Sequence, residues 1–251
     1  MINATTTTKL QEMKLRIMAE SFNQQIHDHA FSTLTFEERF GLIVDSEWNQ
    51  RKNNKLALLL HQAGFSDTGA SIEDIEYHAD RELDKSLIVR LSTCNYIHEK
   101  HNIIVLGASG AGKSYMACAL GVAACRNFIK TRFIRLPDLL NDIAVARGQG
   151  TYKKLITQLK KLPLLILDEW MLVPLSESEA RDLLEIVEAR HKRASTIFVS
   201  QFSPKGWHSR IGSEGTLADA ILDRIVHDSY EIFIAGEDSM RRRKGINSKK
   251  H

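Results

Sequence analysis

Residues 107–114 read Gly-Ala-Ser-Gly-Ala-Gly-Lys-Ser and constrain this chain more than any other stretch of it. Gly107, Gly110 and Gly112 permit a tight loop whose backbone N–H groups turn inward. The four residues before it, Ile103-Ile104-Val105-Leu106, form a short continuous apolar run, and Tyr115 to Arg126 is helix-competent. A strand, a glycine-rich turn and a helix in that order hold an anion, because the helix presents its positive N-terminal end to the turn. The spacing G-x-x-x-x-G-K-[ST] is the phosphate-loop form, in which the lysine reaches the β- and γ-phosphates of a nucleotide and the hydroxyl ligates Mg²⁺. The expected cradle for ATP is therefore Gly107, Ala108, Ser109, Gly110, Ala111, Gly112, Lys113, Ser114 and Tyr115.

A second apolar run, Leu164-Leu165-Ile166-Leu167, ends in Asp168-Glu169. With a phosphate loop upstream, Asp168 is expected to hold Mg²⁺ together with Ser114. Glu169 is expected to polarise the attacking water as general base. A kinase acting on a small molecule needs a base aimed at its acceptor instead, so the adjacent acids favour hydrolysis. The run Thr196–Val199 ends in Ser200-Gln201. Gln201 there either contacts γ-phosphate and water or merely caps a strand. Arg224 lies on an amphipathic helix with Leu217, Ile221 and Leu222.

Five short apolar runs occur after residue 100: 102–106, 131–135, 164–167, 196–199 and 230–234. Helical segments separate them, which indicates a parallel sheet covered on both faces. The fold class expected is α/β. Before residue 100 the pattern is helical. Leu10, Met13, Ile17 and Met18 recur at helical spacing. A second helix is expected from about Thr35 to His61, with Thr35, Glu37 and Glu38 at a capped start. Its expected inner face is Phe36, Phe40, Ile43, Val44, Leu56 and Leu59. Gly64 to Ser71 reads as a linker. A helical domain over 1–67 and an ATPase domain over 68–251 follow.

No run approaches the roughly 20 apolar residues of a membrane helix, and the polar, Thr-rich start lacks the features of a signal peptide. A cytoplasmic protein is expected. Cys94, Cys118 and Cys125 have no metal-ligand spacing and read as buried reduced thiols. The formal charge is +3. Six basic residues without an acid (Arg241, Arg242, Arg243, Lys244, Lys249 and Lys250) crowd the last twelve positions, so the body is slightly acidic. Such a tail either meets a polyanion or stays solvated.

Together, the phosphate loop, the Leu-Ile-Leu-Asp-Glu strand, the strand ending Ser-Gln, the segment Trp207-His208, Leu217-Ala218-Asp219-Ala220-Ile221-Leu222-Asp223-Arg224 and Gly236-Glu237-Asp238-Ser239-Met240-Arg241 resemble the IstB-type helper ATPases of bacterial insertion sequences. That group is close to the DnaC-type helicase loaders of the AAA+ class. The resemblance implies an AAA+ core with a five-stranded parallel sheet and no C-terminal lid domain. It also implies a homo-oligomer with ATP at subunit interfaces, in which Arg224 is the finger that reaches a neighbour's γ-phosphate. Gln201 matches the first sensor position and Arg241 the second. The implied partners are double-stranded DNA and a transposase.

DNA contact needs basic residues facing phosphate. Arg147, Lys153, Lys154, Lys160 and Lys161, around the break at Gly148-Gln149-Gly150, are the candidates. Arg190, His191, Lys192 and Arg193 either favour a helix C-terminus or face a neighbouring subunit. A helicase loader is the alternative reading. A metabolic phosphotransferase fits poorly, since Glu169 directly follows Asp168 and no lid segment is evident.

Overall fold

The computed structural model describes residues 2–212, 215–236 and 240. Its contacts divide the chain into two units, Met1–Leu58 and Leu59–His251.

In the first unit, α1 (Ile2–Glu12) and α2 (Arg16–His27) pack together, separated at Lys14, whose φ is +60°. Helix α3 (Phe36–Ala63) starts in the first unit and ends in the second. Its start is a capping box. The Glu38 N–H donates to Thr35 Oγ1 at 3.3 Å, and the Thr35 N–H donates to Glu38 Oε2 at 2.8 Å. Glu47 of α3 is buried and accepts the Ile17 and Met18 N–H groups, at 3.0 and 3.1 Å, thereby satisfying the first turn of α2. Burial pushes the Glu47 carboxyl up. Arg51 and these amides pull it down further, so it lies below its ordinary value.

The expected inner face of α3 needs correction. Ile43 and Leu59 are buried, but Phe36, Phe40 and Val44 are 75%, 51% and 40% exposed. The side of α3 turned to α2 is occupied by Ile43 and Glu47; Phe40 and Val44 fall to one side of it, and Phe36 is the first residue of the helix, more than a turn before either.

The second unit is a three-layer α/β structure. Its strands are β1 (Asn102–Gly107), β2 (Thr131–Arg135), β3 (Leu164–Asp168), β4 (Ser195–Ser200) and β5 (Ser229–Ile234). All pair in parallel, in the order β2-β3-β4-β1-β5. Two short helices, α4 (Lys85–Ser92) and α5 (Asn95–Glu99), precede the sheet. Helix α6 (Lys113–Arg126) follows β1 and covers one face of the sheet. On the other face Ile104, Leu106, Leu165, Leu167 and Phe198 share one core with four helices. These are α7 (Leu136–Gly148), α8 (Tyr152–Lys161), α9 (Glu177–Arg190) and α11 (Gly215–Val226). The short α10 (Pro204–His208) inserts Trp207 into the same core. Among the described residues no helical lid follows β5, and no helix is long and apolar enough to cross a membrane.

Gly64 to Ser71 is irregular but anchored. Phe65 and Ala70 are buried, and Phe65 fills the space that the missing side chain of Gly121 leaves on α6. Ser66 Oγ lies 3.4 Å from Cys118 Sγ, and the Ser71 N–H donates to the Tyr115 hydroxyl at 3.3 Å. The stretch therefore packs on α6 of the second unit. All three cysteines are buried and free, and burial raises each thiol above its ordinary pKa, Cys94 to about 11.

Candidate nucleotide site

The loop after β1 needs its glycines. Gly107, Gly110 and Gly112 have φ of +155°, +81° and +93°, and the last two lie where L side chains are strained. A Cβ on Gly107 would stand 2.6 Å from the Ile234 carbonyl oxygen of β5. Lys113 opens α6, is 9% exposed, and donates from Nζ to the Ala108 carbonyl at 2.8 Å across the loop. The ammonium thus lies over the concave side of the turn. Ser114 and Tyr115 follow in the first turn of α6.

The sheet order brings the acids to this loop. Only β4 separates β1 from β3, and all three strands point the same way. Asp168 ends β3, is 8% exposed, and accepts the Glu169 N–H at 2.9 Å. Its charge reaches α6, where it adds to burial in raising the Cys118 thiol pKa. Glu169 has φ of +55°. For a residue with a Cβ that conformation costs about 1–3 kcal/mol and persists only where the surroundings enforce it.

Ser200 supplies part of that enforcement. Its Oγ donates to the Trp170 carbonyl at 2.7 Å and accepts Trp207 Nε1–H at 3.0 Å. Trp170 packs edge-on to Phe198 and Trp207, with centroids 4.6 and 5.8 Å apart. Arg210 donates to the Met171 and Leu172 carbonyls at 2.9 and 3.0 Å. Gln201, the next residue after Ser200, is exposed at the end of β4, between the β3 and β1 tips.

A phosphate loop and an acidic strand tip thus lie one strand apart at the same end of the sheet. The profile of the family described as IstB-like ATP binding protein matches residues 8–248. The chain belongs to this family. It is similar to a putative insertion sequence ATP-binding protein of Sinorhizobium fredii, 42% identical over 237 residues, which cover 94% of this chain and 96% of the relative. In fold it is similar to the crystal structure of DnaI, with a TM-score of 0.59 at 20% identity over 66% of this chain and 92% of the other. It is likewise similar to the DnaC helicase loader, with a TM-score of 0.54 at 18% identity over 66% and 96%.

The remaining residues of this IstB-like chain that the sequence singled out lie as follows. Arg224 on α11 donates to Glu188 of α9 at 2.9 Å and to its own helix at the Ala220 carbonyl, 2.7 Å away. Its side chain is 30% exposed. Arg147 pairs with the buried Asp182 and lies over the Tyr152 ring, 4.1 Å from its centroid. Lys153, Lys154, Lys160 and Lys161 are all exposed on α8. Arg190 is 3% exposed and bonds only inward, so it neither caps a helix end in solvent nor faces a neighbour. Arg241 and the basic tail lie outside the described residues. Met240 donates its N–H to the Gly110 carbonyl at 2.9 Å, which brings the chain just before Arg241 onto the phosphate loop.

Sequence reasoning missed two arginines. Arg135 ends β2, opposite Asp168 in register, and its Nη2 donates to Glu169 Oε2 at 2.8 Å. The hydrogen bond to Glu169 and its charge raise the Arg135 pKa. Arg81 is 6% exposed and donates to the Ala111 carbonyl of the loop at 3.0 Å and to the Glu76 carbonyl at 2.6 Å. With Ile75, Gly112, Tyr115, Met116 and Met240 it lines a small cavity beside the loop. A basic residue at the end of the strand neighbouring the acids was the available signal for Arg135. None marked Arg81.

Proposed function

We propose that this chain hydrolyses ATP with Mg²⁺, assembles with ATP at subunit interfaces, and acts on double-stranded DNA as the helper of a partner transposase. The single observation that carries the reading is the pair Asp168-Glu169 held at the tip of β3, one strand away from the phosphate loop. The donor set suits a nucleotide with Mg²⁺. A backbone cradle and Lys113 face the phosphates, and a serine hydroxyl and a buried carboxylate supply hard oxygen ligands. Mg²⁺ neutralises charge on the β- and γ-phosphate oxygens when bound.

The chain's own residues then divide the work. Backbone N–H groups of 107–115 hold the phosphates, and Lys113 exchanges the Ala108 carbonyl for phosphate oxygen. Ser114 and Asp168 would hold the metal. Glu169 takes the proton of the attacking water at its carboxylate once it parts from Arg135. Gln201 orients that water beside the γ-phosphate. Arg224 leaves Glu188 to reach the site of a neighbouring subunit. The cavity lined by Ile75, Tyr115, Met116 and Met240 receives the base.

Lys153, Lys154, Lys160 and Lys161, with Arg147 beside them, are proposed to meet DNA phosphates without reading sequence. The family and its insertion-sequence relatives support a transposase as partner. The likeness to DnaI and DnaC is one of fold alone. Phosphate release from ATP, measured without any acceptor and with or without DNA duplex, tests the reading. DNA-stimulated release is expected, and ADP that forms only when a small-molecule acceptor is added, with no phosphate released, contradicts it. Retention of the transposase on the immobilised chain, against none of a replicative helicase, separates the helper from a loader.

A further inference from the structure

Lys113 and Arg81 each hold a main-chain carbonyl of the phosphate loop. Lys113 Nζ donates to Ala108 at 2.8 Å. Arg81 closes the short 3₁₀ turn Ala79–Arg81 and is 6% exposed. Its Nη2 donates to the Ala111 carbonyl at 3.0 Å and its Nη1 to the Glu76 carbonyl at 2.6 Å. A Cβ on Gly112 would stand 3.1 Å from that Nη2, so the glycine lets the guanidinium lie against the main chain of the loop. The Arg81 carbonyl accepts the Ala235 N–H at 3.1 Å, just past β5. One buried cation thus joins the loop, the cavity wall at Glu76 and the end of an edge strand.

The bond to Ala111 has a consequence on the other side of the peptide. A trans peptide is planar, so its C=O and the N–H of the next residue point in opposite directions. With the Ala111 carbonyl turned to the guanidinium, the Gly112 N–H is turned away from it. Gly112 has φ of +93°, and a glycine does little to resist rotation of the peptide before it. We propose that Arg81 is a positioning residue for the nucleotide: it fixes the Ala111–Gly112 peptide with its N–H toward the phosphates and ties that peptide to the cavity beside the loop. The inference rests on the reading of the loop as a nucleotide site. Lys113 gives up the Ala108 carbonyl when phosphate arrives, whereas Arg81 keeps its carbonyls. A cation on the carbonyl also polarises the peptide, which makes the N–H at its other end a stronger donor. Loop N–H groups of this kind cradle the α- and β-phosphates, so ATP and ADP benefit alike. The acids at the β3 tip lie across β4 from the loop. Arg81 therefore serves binding and not the chemical step.

Calorimetric affinities of the full chain for Mg²⁺-ATP and for ADP, together with KM and kcat for ATP, test the proposal. Arg81→Met keeps an unbranched buried stem and removes the donors. Both affinities should fall about tenfold to a hundredfold, the worth of one charge-assisted hydrogen bond. KM should rise to match, with kcat at saturation within about twofold of wild type. Arg81→Lys keeps the cation and can serve one carbonyl but not the fork of two. It should keep its fold and lose severalfold in affinity, less than Arg81→Met. An arginine that only stabilises the fold predicts a different pattern: fewer binding sites and lower kcat per chain at wild-type affinity and KM. That pattern overturns the proposal. So do affinities of Arg81→Met within about twofold of wild type, or those of Arg81→Lys should Arg81→Met fail to fold. Weakened ATP binding with intact ADP binding also overturns it, because both carry the phosphates that the loop holds. A wild-type chain that binds neither nucleotide overturns the nucleotide reading itself, and the proposal with it.

Discussion

Arg190→Met should destabilise the α/β unit far more than a surface arginine change. The Arg190 side chain is 3% exposed. Its Nη1 donates to the Leu159 and Leu162 carbonyls, its Nη2 to the Ser195 carbonyl, and its Nε to Thr196 Oγ1, all at 2.5 to 3.0 Å. The guanidinium thereby ties the end of α8 to β4. Burial lowers its pKa, but a planar fork engaged by four acceptors stays charged. Methionine keeps an unbranched apolar stem and removes every donor. The Leu162 and Ser195 carbonyls and Thr196 Oγ1 then lose this donor in the interior, at about 1–3 kcal/mol each, while the Leu159 carbonyl keeps the Leu162 N–H at 3.3 Å. Release from burying a charge offsets part of this, so a net loss of at least about 3 kcal/mol is expected, against roughly 5–15 for a typical domain. With a urea slope of about 3 kcal/mol per molar, the midpoint followed by far-ultraviolet circular dichroism should fall by about 1 M. Arg190→Lys should fail similarly, because an ammonium cannot span the four acceptors. A midpoint within about 0.3 M of wild type for Arg190→Met would refute the reasoning.

Lys113→Ala should abolish tight ATP binding, measured by calorimetry or a fluorescent analogue, since the buried ammonium over the loop has no described substitute; undiminished affinity would remove the phosphate-loop assignment. Arg135→Gln should raise basal ATP turnover severalfold without DNA, because the 2.8 Å ion pair holds Glu169 away from water; a fall in turnover at unchanged ATP affinity would mean that Arg135 instead positions the base. Glu169→Gln and Arg224→Ala subunits, each inactive alone, should regain some activity when mixed, where an intact finger meets an intact base. Co-assembly without recovery would show that Arg224 does not act across the interface.

The candidate nucleotide site could be proposed from sequence because its signals are local. The phosphate loop and its flanking strand and helix occupy one short segment, and Asp168-Glu169 ends an unbroken apolar run. The five strands could be located for the same reason, whereas their order is set by pairings between distant segments. What escaped is long-range. Arg135 meets Glu169 and Arg81 meets Ala111 only after the chain has folded back. Arg190 looked like one of four surface bases because sequence does not say that the end of α8 lies beside it. The α3 helix and its capped start could be read from period and from Thr35. Which side it buries depends on where Glu47 meets α2, and that choice left Phe40 and Val44 outside.

Whether this chain is a hydrolase whose base is Glu169 is tested most directly by one comparison: phosphate release in a single turnover of Mg²⁺-ATP by wild-type and Glu169→Gln chains with DNA, alongside ATP affinity for both. The carboxamide keeps the size of the side chain and cannot accept the proton. The account expects nearly equal ATP affinity and release slowed by about a hundredfold or more, in line with the 10²–10⁴ typical of a general base. Release by Glu169→Gln at the wild-type rate would contradict it.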